Sequence, residues 1–172
     1  FQFDATFVQQ TLRKMHPTRF LEISALNALN RPGPIAFIPQ FIARMHGEEP
    51  IEYVHPRAEP ILKETYGIIV YQEQVMQIAQ KVAGYSFGGA DIMRRGIAKK
   101  DLKKLEKQRE IFLHGGILDG DKTKKYVPGA VANGMEESVA NHLFEQILKF
   151  ASYAFNKSHA ACYALIAYWT AY

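Results

Sequence analysis

The chain has 172 residues, of which 48% are hydrophobic and 12% aromatic, and its net charge is +4. This length suits one folded domain, and the composition excludes a disordered chain. A single cysteine excludes an internal disulfide and a cysteine-based zinc cluster, and favours a reducing compartment. Since no leader-like segment opens the chain and no apolar run reaches about 18 residues, we expect no membrane partner.

Apolar residues recur at helical spacing along most of the chain, which predicts an all-α fold with Pro- and Gly-rich connections. The second helix ends at a Pro-Gly-Pro turn, because proline restricts the residue before it. Residues 68–70 have the composition of a short extended segment. The predicted helices cover residues 6–15, 21–30, 35–46, 64–84 with plain helical periodicity from Gln72, a short helix with Arg94 and Arg95, 101–114, 136–152 and a last helix from about 158.

Four features of local structure follow from residue type. Asp91 is predicted to lie at the N-terminus of the helix that carries Arg94 and Arg95, and Ser158 to cap the last helix. Residues 117–134 are rich in Gly, Lys and Asp and predict a surface loop. Cys162 lies in an apolar helical stretch, which predicts a buried thiol.

Both ends of the chain have the character of cut ends, so we expect a fragment of a larger protein.

The basic charge is concentrated in one sector. Residues 92–125 contain 11 Lys and Arg against 5 Asp and Glu, a net of +6, so the remainder sums to −2. Within this sector Arg94, Arg95, Lys99 and Lys100 fall in seven residues that include no carboxylate. Such a cluster is stable when it is solvated or faces an anion, and a polyphosphate suits both Arg and Lys. A solvated basic turn is the alternative.

A second candidate site is the polar run Asn156, Lys157, Ser158 and His159 between two apolar helices. A helix that begins there offers free backbone N–H groups to an anion. The aromatic rings of Tyr153 and Phe155 flank the run, and such rings stack on bases or pack in a core. An ordinary interhelical turn is the alternative.

Other motifs do not predict chemistry. Asp119 and Asp121 are two carboxylates one residue apart, as a two-metal phosphoryl-transfer site requires. They lie in a lysine-rich loop, however, with no apolar strand to hold them rigidly. The histidines lack metal-ligand spacing, and no Walker loop is present. From the residues alone, the chain is a helical module with two sites suited to polyanions, with no catalytic residue and no metal site of its own.

Four segments in this order resemble the bacterial C-family replicative polymerases, the DNA polymerase III alpha subunits. They are residues 28–34 (ALNRPGP), 65–76 (TYGIIVYQEQVM), 88–95 (GGADIMRR) and 155–160 (FNKSHA). The resemblance implies an all-α fingers domain over residues 35–172, preceded by a helical junction over residues 1–34 that follows the palm. It also implies that this region is part of a DNA-directed DNA polymerase and is inactive alone.

The resemblance assigns roles to the candidate residues. Arg94 and Arg95, extended by Lys99 and Lys100, would meet the triphosphate of the incoming deoxynucleotide. Tyr153 and the run Asn156, Lys157, Ser158 and His159 would face the nascent base pair or its phosphates. Arg31 would lie at the palm–fingers junction. The Mg²⁺ ions of the parent enzyme would be held by palm aspartates, none of which matches a residue here.

The same resemblance implies the partners. They are deoxynucleoside triphosphate, primer-template DNA, the palm and thumb of the same polypeptide, and the sliding clamp and other replicase subunits, in the bacterial cytoplasm at the nucleoid. The alternative is a non-enzymatic helical module that binds nucleic acid or protein.

The chain departs from the family pattern at three places. Glycine stands at position 96 in the basic run, Ser152 and Ala154 replace two glycines before the second site, and the loop over residues 117–134 is longer.

Overall fold

The computed structural model describes residues 2–98, 102–120 and 124–171, apart from the side chains of Leu102 and Lys103. The prediction of an all-α fold is confirmed, with one two-stranded antiparallel hairpin added. The elements are α1 (Thr6–Met15), α2 (Phe20–Leu29), α3 (Ile38–Met45), α4 (Glu59–Leu62), α5 (Gln72–Ile78), α6 (Phe87–Ala98), α7 (Leu102–His114), β1 (Gly116–Ile117), β2 (Tyr126–Val127), α8 (Glu137–Ala151) and α9 (Lys157–Thr170).

Short helical turns connect several of these helices. A 3₁₀ turn, Pro34–Phe37, leads into α3, and another, Lys63–Thr65, follows α4. The last turn of α5 widens into a π-helical segment, Ala79–Ala83, which ends at Gly84 in the left-handed region with φ +77°. Within the described ranges, no helix combines the length and the apolar character that a membrane crossing requires.

Two groups of buried side chains form the core. The first joins the N-terminal helices α1–α3 to α9, where the fully buried Ala160 and Ala164 let α9 pack closely on α2. The second is larger and lies among helices α4–α8, with the rings of Phe112 and Phe144 5.3 Å apart at its centre. Phe150 of α8 packs against both groups and therefore joins the two halves of the core.

The predicted surface loop over residues 117–134 is wrong in part. It begins with the β1–β2 hairpin, and Leu118, Val127 and Ala130 are buried in the larger core. The backbone N–H of Ala130 donates to the carbonyl oxygen of Phe112 at 2.8 Å. The segment is polar in composition, yet its few apolar side chains are buried. Its backbone N–H groups also pair with carbonyl groups at the end of α7, which have no partner within the helix.

Two predicted helix starts are also wrong. The hydroxyl of Ser86 accepts the N–H of Gly89 at 3.0 Å, so α6 begins at Phe87 and Asp91 lies within the helix. Asn156, not Ser158, caps α9: its Oδ1 accepts the N–H of His159 at 2.8 Å. Both Asn and Ser cap helices, and the sequence leaves the choice between them open.

The predicted burial of Cys162 is wrong as well. The thiol is exposed, because α9 turns its alanines toward α2 and leaves Cys162 on the opposite side.

Candidate functional site

The turn before α9 is attached to the extended segment before α5, and this attachment builds the candidate site. Tyr71 and Phe155 form a parallel β-bridge: the Phe155 N–H donates to Val70 at 3.0 Å, and the Gln72 N–H donates to Phe155 at 2.9 Å. The side chain of Gln72 adds a bond to the Ala154 carbonyl at 3.2 Å. This pairing therefore fixes the alignment of two backbone segments that lie more than 80 positions apart in the sequence.

The turn at Arg31 packs against the other side of this segment. The Arg31 guanidinium lies 4.4 Å from the centre of the Phe155 ring and donates from Nη2 to the Tyr153 carbonyl at 2.5 Å. Burial lowers the pKa of Arg31 from its ordinary value. Gly33 has φ +99°, and a Cβ there would lie 2.5 Å from the Tyr153 ring. The Pro-Gly-Pro turn and Tyr153 thus fit each other closely.

Each polar residue of the Gln72–Gln74 run has a separate contact. Gln74 is 2% exposed, and its Oε1 accepts the N–H groups of Val70 and Tyr71 at 2.9 and 3.0 Å. Its Nε2 donates to Thr65 at 2.8 Å. A buried amide with this many partners fixes the path of the backbone around it. Gln72 and Glu73 are thereby directed toward the turn before α9.

The polar run that opens α9 faces carboxylates. Glu73 accepts hydrogen bonds from Asn156 Nδ2 at 2.8 Å and from the Lys157 N–H at 3.0 Å. The Lys157 ammonium lies 2.7 Å from both carboxylate oxygens of Glu64. The helix N-terminus and the lysine, which the sequence suggests for an external anion, therefore contact acids of the chain itself.

The remaining residues of this run are on the surface. Ser158 and His159 are exposed. The His159 ring lies between two aromatic rings, with centre-to-centre distances of 5.1 Å to Phe155 and 4.2 Å to Tyr163. Tyr153 is 40% exposed above Gly33. Tyr153 and His159 are thus exposed aromatic groups near the start of α9, and such rings can stack on another planar group.

The basic run is partly neutralised by a residue just before it. Asp91 accepts from Arg94 Nη2 at 2.7 Å and from Arg95 Nη2 at 2.8 Å, at i,i+3 and i,i+4 spacing on α6. The Arg94 side chain is 18% exposed and that of Arg95 is 61% exposed. The absence of a carboxylate within the run was thus misleading, because α6 begins early enough to place Asp91 beside both arginines. Lys99 and Lys100 lie outside the described residues.

One cavity of about 400 Å³ joins the two predicted sites. Arg94 and Asn156 both line it, and Glu73 and Asp91 stand beside them. The rest of the lining is mostly amides and apolar side chains: Gln72, Met76, Gln77, Gln80 and Phe87. Charges in such a recess are screened less than in free solvent, which strengthens the attraction of Arg94 for an anion and also the repulsion of that anion by Glu73 and Asp91. Arg95 instead lines a neighbouring cavity between α6 and α7.

Reasoning from residue patterns missed Gln72, Glu73, Gln74 and Glu64, the residues that bring the two sites together. The unusual run of polar side chains at positions 72–74, on a helix with an apolar face, was the available signal. Among the described residues, no group of three or more His, Cys, Asp or Glu side chains is placed to hold a metal ion.

Comparison with known proteins identifies the family. Residues 1–120 match the family described as the bacterial DNA polymerase III alpha subunit finger domain. Over all 172 residues the chain is 50% identical to DNA polymerase III subunit alpha of Chlamydia trachomatis, 47% to that of Neisseria meningitidis and 46% to that of Halalkalibacterium halodurans. The chain spans 13–14% of the length of these relatives. It therefore belongs to the bacterial DNA polymerase III alpha subunit family.

Proposed function

We propose that this chain is the fingers part of a DNA-directed DNA polymerase that acts in bacterial chromosome replication. In this proposal it binds the triphosphate of the incoming deoxynucleotide and helps to position the primer-template. Residues 1–34 form the junction after the palm, with Arg31 in it, and residues 35–172 form the fingers domain. The observation that carries the proposal is the cavity of about 400 Å³ that Arg94 and Asn156 line together.

Arg94 is the principal phosphate contact in this proposal. It is the less exposed of the two arginines, and its guanidinium is oriented by Asp91 at 2.7 Å. An oriented, partly desolvated guanidinium binds phosphate oxygens strongly and with defined geometry. Arg95 contributes from a more exposed position, where solvent screens its charge. Lys99 and Lys100, which lie outside the described residues, are assigned to the same triphosphate.

The run that opens α9 acts on the base pair rather than on the triphosphate. Glu73 and Glu64 already contact the donors of Asn156 and Lys157. The exposed His159 and Tyr153 offer planar surfaces close to this run. With Ser158, these residues face the nascent base pair, on whose bases aromatic rings can stack.

The assignment of Arg94 to the triphosphate, and of the run that opens α9 to the base pair, suits the chemistry of phosphoryl transfer. Catalysis of that reaction is mostly positioning and charge stabilisation, and cations near the β- and γ-phosphates stabilise the leaving pyrophosphate. Mg²⁺ is held by palm residues outside this chain, so the isolated chain is inactive. Its partners are the nucleotide, primer-template DNA, the palm and thumb of the same polypeptide, the sliding clamp and other replicase subunits, in the cytoplasm.

Steady-state incorporation by the full-length polymerase tests the proposal. Arg94→Ala should lower kcat/KM for nucleotide by on the order of 10²-fold, the loss typical of a charged contact, and Arg95→Ala by less. Arg13→Ala, which removes an exposed arginine of α1, is the charge-matched control. Wild-type kinetics in Arg94→Ala would refute the triphosphate contact.

The alternative is a helical module that only binds nucleic acid. In that case DNA binding should depend steeply on salt and should be indifferent to nucleotide. Stronger competition by a deoxynucleoside triphosphate than by the monophosphate supports the polymerase assignment.

A further inference from the structure

A second cavity, of about 300 Å³, lies between α6 and α7 on the other side of the arginine pair. It is separate from the cavity that Arg94 and Asn156 share, and its volume is at the lower end of the range for small-ligand sites. The described residues that line it are Ile92, Arg95, Gly96, Lys104, Lys107, Gln108 and Asp119.

The lining of this cavity is mainly cationic. Among the described residues of the lining, Arg95, Lys104 and Lys107 contribute three positive charges against one carboxylate, that of Asp119. The Lys107 ammonium contacts Asp119 at 2.6 Å and the Arg95 guanidinium contacts Asp91 at 2.8 Å. Each contact uses one of several N–H donors, since an ammonium has three and a guanidinium five. The carboxylates therefore orient two of the cations without exhausting their donors.

A polar group without a hydrogen-bond partner lies at the edge of this cavity. Gln108 is 7% exposed, and its Oε1 is buried with no partner in the part of the chain that the structure describes. A buried acceptor is normally paired, so a donor N–H or O–H from a bound ligand is one way to satisfy Oε1. An added Cβ at Gly96 would lie 3.6 Å from Gln108 Nε2, an ordinary van der Waals distance, so the amide packs directly against α6.

We propose that this cavity binds one nucleotide of a DNA strand. The phosphodiester lies against Lys104 and Lys107, beside Arg95, and an amino group of the base donates to Oε1 of Gln108. The combination of several cations and a single unpaired acceptor suits a nucleotide, whose phosphate only accepts hydrogen bonds and whose base both donates and accepts. The proposal depends on membership of a DNA polymerase family, not on the triphosphate contact of Arg94.

The salt dependence of DNA binding by the full-length polymerase tests the phosphodiester contact. Affinity for a labelled primer-template with a long template overhang is measured by anisotropy, without nucleotide, between about 50 and 200 mM salt. Each phosphate contact contributes about 0.7 to the slope of log K against log salt on a single strand and about 0.9 on a duplex. Because both lysines contact the same phosphodiester, Lys104→Ala/Lys107→Ala should lower the slope by about 0.7 on a single strand or about 0.9 on a duplex.

Two further variants and one change of DNA sharpen this measurement. Lys14→Ala/Lys63→Ala removes the same charge from exposed positions on α1 and on the turn after α4, and should keep the wild-type slope. Lys104→Arg/Lys107→Arg should also keep it. The same measurement on a blunt duplex, which has no overhang, shows which part of the DNA is bound. If the variant changes the slope only on the DNA with the overhang, the bound strand is the single-stranded template. An unchanged slope in the double alanine variant on both DNAs overturns the proposal.

The base contact has its own test. Gln108→Met keeps the size of the side chain and removes its polar atoms, so affinity should fall by about fivefold while the salt slope stays unchanged. Unchanged affinity would overturn the base contact. Neither result depends on nucleotide kinetics, so these outcomes are distinguishable from failure of the triphosphate contact at Arg94.

Discussion

The carboxylate of Glu73 accepts the backbone N–H of Lys157 at 3.0 Å, across 84 positions of sequence. The same carboxylate accepts from Asn156 Nδ2 at 2.8 Å. A helix N-terminus carries a partial positive charge, which a carboxylate stabilises. Glu73 therefore occupies the place where an external anion would bind α9, and it ties that helix to α5.

Replacing Glu73 should destabilise the chain through this contact. Glu73→Ala leaves the Lys157 N–H and the Asn156 amide without their acceptor, at a cost of about 1–3 kcal/mol. The free energy of unfolding in urea measures the loss, and hydrogen exchange should quicken at the Lys157 amide. Glu49→Ala, at an exposed position, should change stability by less than about 0.5 kcal/mol. Equal stability of the two variants would contradict the role of Glu73.

A matched pair of glycines tests the fit between the Pro-Gly-Pro turn and Tyr153. Gly33 and Gly47 both have positive φ, +99° and +74°, but only at Gly33 would an added Cβ meet a neighbour, the Tyr153 ring at 2.5 Å. Gly47→Ala should cost about 1 kcal/mol from backbone strain, and Gly33→Ala about 1–3 kcal/mol more from the collision. Thermal or urea unfolding measures both.

The collision can be separated from other effects of Gly33→Ala. In a Tyr153→Ala background the ring is absent, so the part of the Gly33→Ala cost that comes from the collision should be lost. Persistence of the full cost in that background would show that Tyr153 is not its cause.

The sequence predicted local structure well, because helix periodicity and Pro or Gly breaks act over a few residues. The helix over residues 6–15 is confirmed to the residue. The starts of α6 and α9 were wrong, since Ser86 and Asn156 cap them in place of Asp91 and Ser158. The choice among several capping residues depends on tertiary packing, which periodicity does not contain.

The candidate site was predicted only as two separate groups of residues. Arg94 and Asn156 were both identified, but nothing in the sequence indicates that one cavity joins them. Glu64 and Glu73 were missed because a carboxylate on a helix resembles any solvated acid until its distant partner is known. Long-range pairing of this kind depends on the bridge between Tyr71 and Phe155, and no local pattern encodes that register.

The network around Glu22 should make stability depend on pH in strong acid. Burial by itself raises the pKa of this carboxyl, but hydrogen bonds from Tyr66, Arg19 and Thr18 outweigh burial and lower the pKa to about 2. The carboxylate is therefore favoured in the folded state, and its stabilisation is present above pH about 4.5 and is lost as pH falls toward about 2. The loss amounts to up to about 3 kcal/mol.

Urea unfolding of the 172-residue chain between pH about 5 and about 2 measures this dependence. Glu22→Gln removes the titrating group, so its free energy of unfolding should be lower at neutral pH and should fall less steeply with acid. Glu49→Gln, at an exposed position, should retain the wild-type dependence. Parallel curves for Glu22→Gln and the wild type would assign the acid sensitivity to other groups.

The exposure of Cys162 gives a chemical test of how α9 is oriented. The helix buries Ala160, Ala164 and Ala167 against α2 and turns Cys162 outward. An exposed thiol should react with iodoacetamide at a similar rate in the folded chain and in urea, because no opening step precedes the reaction. In a Cys162→Ala background, a cysteine introduced by Ala164→Cys is buried and should react about tenfold or more slowly in the folded chain, through local opening. Protection of Cys162 together with rapid reaction at position 164 would mean that α9 presents the opposite face to α2.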